Sequence, residues 1–179
     1  MTLALNMRSS SLALLVTACA FWPHTVSAED VKSVEDEKVK PARNTTTGKQ
    51  FETEVKMALQ GLGFRVAEQV QVGTRPNGGK HMIDIVAKKG EHSWLISLKW
   101  QQSSGTAEQK VPYEVICLSE ALKQSRGQHK AAYLVLGGDG WTLKKFYLSG
   151  GLDRHLSLDQ PVQVLSLDRL LELAQKGLL

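Results

Sequence analysis

The chain has 179 residues, with 22 Lys and Arg against 18 Asp and Glu and a formal net charge of +4. That length suits one domain able to bury a full core, and the small basic excess favours a polyanionic partner without requiring one, since a solvated surface accounts for it equally well. The two cysteines, Cys19 and Cys117, have no partners at ligand spacing, which excludes a disulfide framework and a zinc site.

Residues 1–28 hold no acid and a single basic residue, Arg8, with an apolar stretch from Leu12 to Trp22 and Val26-Ser27-Ala28 just before Glu29. This pattern predicts a secretory signal peptide cleaved after Ala28, and hence an exported protein. Val16-Thr17-Ala18-Cys19 also has the form of a bacterial lipobox, which would put a lipid on Cys19, and a downstream start would instead leave the protein cytoplasmic. The apolar stretch is too short and too interrupted for a stable membrane span. Residues 29–43 mix charges with few apolar side chains and read as a disordered linker, which leaves residues 44–179 as the folded domain.

Phe51, Val55, Leu59 and Leu62 recur at helical spacing, and Gly63 closes that helix. Phe64 to Val72 reads as a first strand and Gly73 to Lys80, with Pro76-Asn77-Gly78-Gly79, as a loop. Two further strands, His81 to Ala87 and Trp94 to Gln101, are joined near Lys88-Lys89-Gly90. A second helix spans Ala107 to Ser125, broken or started at Pro112. Ala131 to Gly137 is a continuous apolar run, the pattern of a strand buried on both faces. A helical or irregular stretch from Trp141 to Leu148, a strand at Val162 to Leu165 and an amphipathic helix from Leu167 to Gly177 complete the chain. The order α-β-β-β-α-β predicts one α/β domain.

The second and third strands each carry a charge where a strand core should hold none. Asp84 stands between Ile83 and Ile85, and Lys99 between Leu98 and Trp100. An unpaired buried charge costs several kcal/mol, on the order of the penalty for an imperfectly compensated ion, so such groups pair with each other or hold a metal. Alternation places Leu95, Ser97, Lys99 and Gln101 on one face of the third strand, and Met82, Asp84 and Val86 on one face of the second. Asp84 can then look across to Lys99. A buried ion pair that merely organises the sheet is an equally good account of these two residues alone.

The chain resembles the PD-(D/E)XK nuclease superfamily over about residues 44 to 150. The resemblance is carried by Gly48-Lys-Gln-Phe51-Glu52 in the first helix, Ile83-Asp84 in the second strand, Ser97-Leu98-Lys99 with Gln101 in the third, and the block Ser104 to Glu114. It implies a restriction endonuclease-like core, a central mixed sheet flanked by helices, and Mg²⁺-dependent hydrolysis of phosphodiester bonds in DNA, with Mn²⁺ as a substitute. By resemblance, Asp84 and the Leu98 carbonyl would hold the metal. Lys99 would stand near the attacking water and the scissile phosphate. Glu52 would reach in as a metal ligand or water-positioning group, with Glu54 its competitor on the same turn. The acid usually found two residues before the lysine is Ser97 here. Losing that charge weakens metal binding unless Glu52, Glu54 or Glu108 supplies it, because hard cations favour carboxylates.

Arg75, Lys80 and His81 approach the Asp84 strand through a glycine-rich segment and are candidate phosphate contacts, as are Gln109 and Lys110 at the start of the second helix. A symmetric homodimer would let one such site per protomer serve both strands of a duplex. Two other readings compete with a DNA endonuclease: a nucleic-acid-binding module that kept the fold and lost its chemistry through Ser97, and an exported binding protein with a purely structural Asp-Lys pair.

Overall fold

The structure is a computed structural model and describes residues 46–179. The expected leader, residues 1–28, and linker, residues 29–43, lie outside the described residues. The elements run in the order α1 (Thr46–Gly61), β1 (Arg65–Thr74), β2 (Lys80–Lys89), β3 (His92–Trp100), α2 (Ala107–Gln124), β4 (Ala131–Gly137), α3 (Lys144–Leu148), a 3-10 turn (Gly151–Arg154), β5 (Val162–Ser166) and α4 (Leu167–Gln175). The strands form one sheet in the order β1-β2-β3-β4-β5. The first three are antiparallel neighbours, whereas β3-β4 and β4-β5 are parallel. The domain is therefore α/β, with a mixed sheet and helices on both faces.

The apolar pattern assigns the layers. Phe51, Val55 and Leu59 from α1 and Leu170, Leu173 and Ala174 from α4 bury against Ile85, Ile96, Leu98 and Val135 on one face of the sheet. Val111, Val115, Leu118 and Leu122 from α2 cover Leu95, Leu134 and Leu136 on the other. Each large aliphatic or aromatic side chain so buried stabilises the fold by roughly 1.5–3 kcal/mol relative to exposure. β4 lies inside the sheet between β3 and β5 and is packed on both faces, which is why it reads as an unbroken apolar run. After α1, Gly63 takes a left-handed φ of 83° and Phe64 N–H returns to Leu59 O at 3.1 Å, so the chain leaves the helix and enters the sheet in three residues. No helix among the described residues is long and apolar enough to cross a membrane.

Two expectations are corrected. β2 does not keep one alternation throughout: Ile85 and Ala87 enter the α1 side of the core, but Ile83 enters the α2 side. The strand changes face at Asp84, where its pairing with β3 ends. The second helix neither breaks nor starts at Pro112, which lies inside α2. Proline has no N–H for the carbonyl one turn earlier, and that carbonyl, Glu108 O, accepts a hydrogen bond from Tyr147 Oη at 2.9 Å instead.

Tyr147→Phe is therefore expected to cost about 1–2 kcal/mol of unfolding free energy, the penalty for an unpaired buried carbonyl. In a Pro112→Ala background the cost should fall below about 0.5 kcal/mol, because the restored helix amide takes the carbonyl. Urea denaturation of the four proteins measures the coupling, and equal costs in both backgrounds would exclude this exchange of partners.

Candidate active site

The β2-β3 ladder runs from Lys89 opposite His92 to Ile85 opposite Ile96 and then stops, one pair short of Asp84 and Ser97. The cause is a side chain standing in for backbone: Asp84 Oδ2 accepts from Leu98 N–H at 2.7 Å. With a carboxylate taking that amide, the two strands part into a fork. Asp84 is half-buried at its root, and its other oxygen, Oδ1, accepts from Gln69 Nε2 of β1 at 3.4 Å.

Opposite Asp84, the buried Ser97 hydroxyl lies 3.2 Å from Asp84 Oδ2 and 2.9 Å from Glu114 Oε1. A serine hydroxyl has one hydrogen, so it donates to one carboxylate at a time and the two acids compete for it. Lys99 Nζ donates to Ser97 Oγ at 3.1 Å and to Leu98 O at 3.3 Å, and lies 3.7 Å from Glu114 Oε1. Arg75 Nη1 reaches Glu114 Oε2 at 3.5 Å. His81 Nε2 stands 3.7 Å from Glu114 Oε1, beyond hydrogen-bond length, and neither ring nitrogen has a hydrogen-bond partner.

Glu114 is thus the hub of the cluster, and only 5% of it is exposed. Burial by itself would raise its pKa, but the contacts to His81, Lys99, Ser97 and Arg75 outweigh that and hold the carboxyl at about 2. Glu52 shows the opposite balance. Partial burial, then the negative charges of Asp84 and Glu68, push its pKa above the usual value against the pull of Lys49 and Lys99, so the α1 acid lies within electrostatic reach of Asp84.

Several expectations change here. The acid that answers Ser97 is Glu114 of α2, whereas Glu54 is exposed on α1 and Glu108 is spent accepting from Thr142 N–H and Leu143 N–H ahead of α3. Lys99 pairs with Glu114, and Ser97 Oγ is what links it to Asp84. Gln101 is buried and donates to Gly140 O at 2.6 Å, while Gly140 N–H returns to Gln101 O. Its amide fastens the end of β3 to the loop after β4, and no hydrogen bond joins it to the Asp84 cluster. His81 is fully buried behind Glu114, so it does not offer a surface contact to phosphate. Lys80, Gln109 and Lys110 are exposed, and Arg75 is partly so. The signal that marks Glu114 was present in the sequence: it falls on the same helical stripe as Val111, Val115, Leu118 and Leu122, an acid on a buried face. Gln69 carried no such signal.

Among the described residues no three acidic, histidine or cysteine side chains converge as a ligand cage. The donors at the fork are two carboxylates, Asp84 and Glu114, together with the Leu98 carbonyl. Mg²⁺ takes oxygen ligands, keeps several waters and is commonly held through one or two carboxylates, so this set fits it without a cage.

The depressed carboxyl of Glu114 has a consequence for stability. Its folded pKa of about 2 lies below the ordinary 4.5, so its contribution is complete above about pH 4.5 and is lost as pH falls towards 2. In metal-free buffer Glu114→Gln should be less stable than wild type at neutral pH and should lose less additional stability between about pH 5 and pH 2. Urea midpoints measured across that range test this, and parallel curves for the two proteins would refute it.

A PD-(D/E)XK nuclease superfamily domain model matches residues 43–178. No curated protein matches the sequence. Among solved structures, a protein of unknown function is 14% identical with a TM-score of 0.41, over 71% of this chain and 65% of that one, so the chain spans less than two thirds of that protein. The small subunit of a heterodimeric restriction endonuclease is 20% identical with a TM-score of 0.39, over 71% of this chain and 67% of that one. With the family match running from before α1 to beyond α4, the chain belongs to the PD-(D/E)XK nuclease superfamily.

Proposed function

We propose that the protein is a divalent-metal-dependent endonuclease that hydrolyses phosphodiester bonds in DNA, with Mg²⁺ as the working ion and Mn²⁺ as a substitute. The observation that carries this reading is Glu114. A second carboxylate reaches Ser97 from α2 and restores, beside Asp84 and Lys99, the negative charge that position 97 lacks.

Asp84 and Glu114, with the Leu98 carbonyl, would hold the ion, and Glu52 would add a third acid from α1. A bound divalent ion supplies positive charge against the phosphate as negative charge builds on it. Lys99 has three protons on Nζ, and two point to Ser97 Oγ and Leu98 O. The third is free to hold a phosphate oxygen or the attacking water at the mouth of the fork. Ser97 gives its one hydrogen to either carboxylate in turn and, as acceptor, keeps Lys99 aimed. Lys110 precedes Glu114 by one helical turn on the same face of α2, and with Arg75, Lys80 and Gln109 it would receive the flanking phosphates. A homodimer, residues 1–28 as a signal peptide for export, residues 29–43 as a linker and residues 44–179 as the nuclease domain complete the reading.

A second reading has its own support. Glu114 is already satisfied by a hydroxyl and surrounding cations, as a purely structural acid would be, so the fold could serve as a DNA-binding module without chemistry. The experiment that separates them is cleavage of supercoiled DNA with Mg²⁺, Mn²⁺ or EDTA. Metal-dependent nicking is expected. Asp84→Asn, Glu114→Gln and Lys99→Ala should each lower its rate by roughly 10²–10³-fold with the fold intact, the usual loss on removing one preorganised charge. Ser97→Ala keeps all three charged groups and should lose only about tenfold, the equivalent of one hydrogen bond. Unchanged rates in the folded variants, or binding without cutting at any metal concentration, would defeat the nuclease reading, and the second outcome would favour the binding module.

A further inference from the structure

Gln69 is the non-glycine residue of β1 whose backbone lies in the left-handed region, at φ 51°. A single residue in that conformation inside a strand is strained, because its Cβ crowds the following carbonyl, and glutamine has no short side chain to compensate. The β1-β2 ladder pairs Glu68 with Ile85 and Val70 with Ile83 but omits the pair between them, Gln69 and Asp84. The strain therefore sits directly opposite the acid at the fork. Gln69 itself is exposed, but Val66 before it packs on the α1 side of the sheet and Val72 after it on the α2 side, so the left-handed residue is where β1 changes face beside Asp84. What its side chain does is donate Nε2–H to Asp84 Oδ1 at 3.4 Å.

The other oxygen of Asp84 is already committed. Oδ2 is held by Leu98 N–H and approached by Ser97 Oγ, so the carboxylate can pivot only through Oδ1. We infer that Gln69 is a positioning residue for Asp84: its amide fixes the orientation of the second carboxylate oxygen toward the metal, and the left-handed turn of β1 brings that amide opposite the carboxylate. The inference rests on the proposed role of Asp84 as a metal ligand. Outer hydrogen-bond donors to ligating carboxylates typically contribute 10–100-fold in metal affinity, and the removal of this one should show it.

Two variants separate the backbone from the amide. Gln69→Gly removes the donor and relieves the strain; Gln69→Ala removes the donor and keeps the strain. Calorimetric titration of the purified full chain with Mn²⁺, beside its melting temperature without metal, reads both. The expected result is that both variants bind Mn²⁺ about 10–100-fold more weakly than wild type, while Gln69→Gly melts above Gln69→Ala and no lower than wild type. Mn²⁺ affinity unchanged in both variants, with binding lost in Asp84→Asn, would overturn the inference and leave the metal site standing. Melting of Gln69→Gly below Gln69→Ala would overturn the claim of strain. Absence of Mn²⁺ binding by the wild type would overturn the metal site and the inference together.

Discussion

Everything distinctive in this domain follows from one substitution of partner: the amide of Leu98 bonds to the side chain of Asp84 rather than to a backbone carbonyl of β2. An antiparallel pair of strands closes its ladder wherever it can, because each unpaired buried amide costs free energy. A carboxylate that accepts one of those amides satisfies the donor while ending the pairing. The ladder then ends, β2 changes face between Ile85 and Ile83, and polar side chains gather at the end of the paired segment.

Into that opening come groups that the core alone would reject. Glu114 is more deeply buried than Asp84, and burial alone pushes its carboxyl up. His81, Lys99, the Ser97 hydroxyl and Arg75 converge on it and reverse that shift. The same arrangement suits the divalent ion proposed for it: the negative charge is held in place beforehand, with cations beside it. The hairpin loop that carries Arg75 is itself tied to α2, since Gln124 bonds both N–H and carbonyl of Thr74. The helix that supplies the second acid and the loop that helps neutralise it are therefore joined directly.

Much of the architecture could be read along the chain because it depends on local pattern. The spacing of Phe51, Val55 and Leu59 is helical whatever they pack against, and the apolar run of β4 can only be satisfied between two layers. Asp84 and Lys99 stood out for the same reason, as charges inside strand-forming sequence. Gln101 misled because alternation along a strand tells which face a side chain occupies and not what it meets there, and it is bonded to the Gly140 carbonyl. His81 misled because a place beside a glycine-rich segment does not tell whether the side chain stays outside, and it is buried against Glu114. Pro112 misled in the opposite way: it looked like a helix breaker, but Tyr147, distant in sequence, takes the carbonyl it strands.

The sequence by itself determined the α/β class, the order of elements, and the misplaced charges of Asp84 and Lys99, since each of these is written in the periodicity and chemistry of neighbouring residues. Only the tertiary structure decided which acid completes the site. Glu114 lies on a helix that crosses from β3 to β4 and lays one face over the sheet, and of the acids near it in the chain this one lands on Ser97. Its distance from Asp84 along the sequence is bridged by packing of apolar side chains. The same is true of Gln69, whose relation to Asp84 exists only through the register of β1 against β2. Local pattern can show that a charge is out of place; what answers it depends on contacts between residues far apart in the chain, and those are set by the packing of the whole domain.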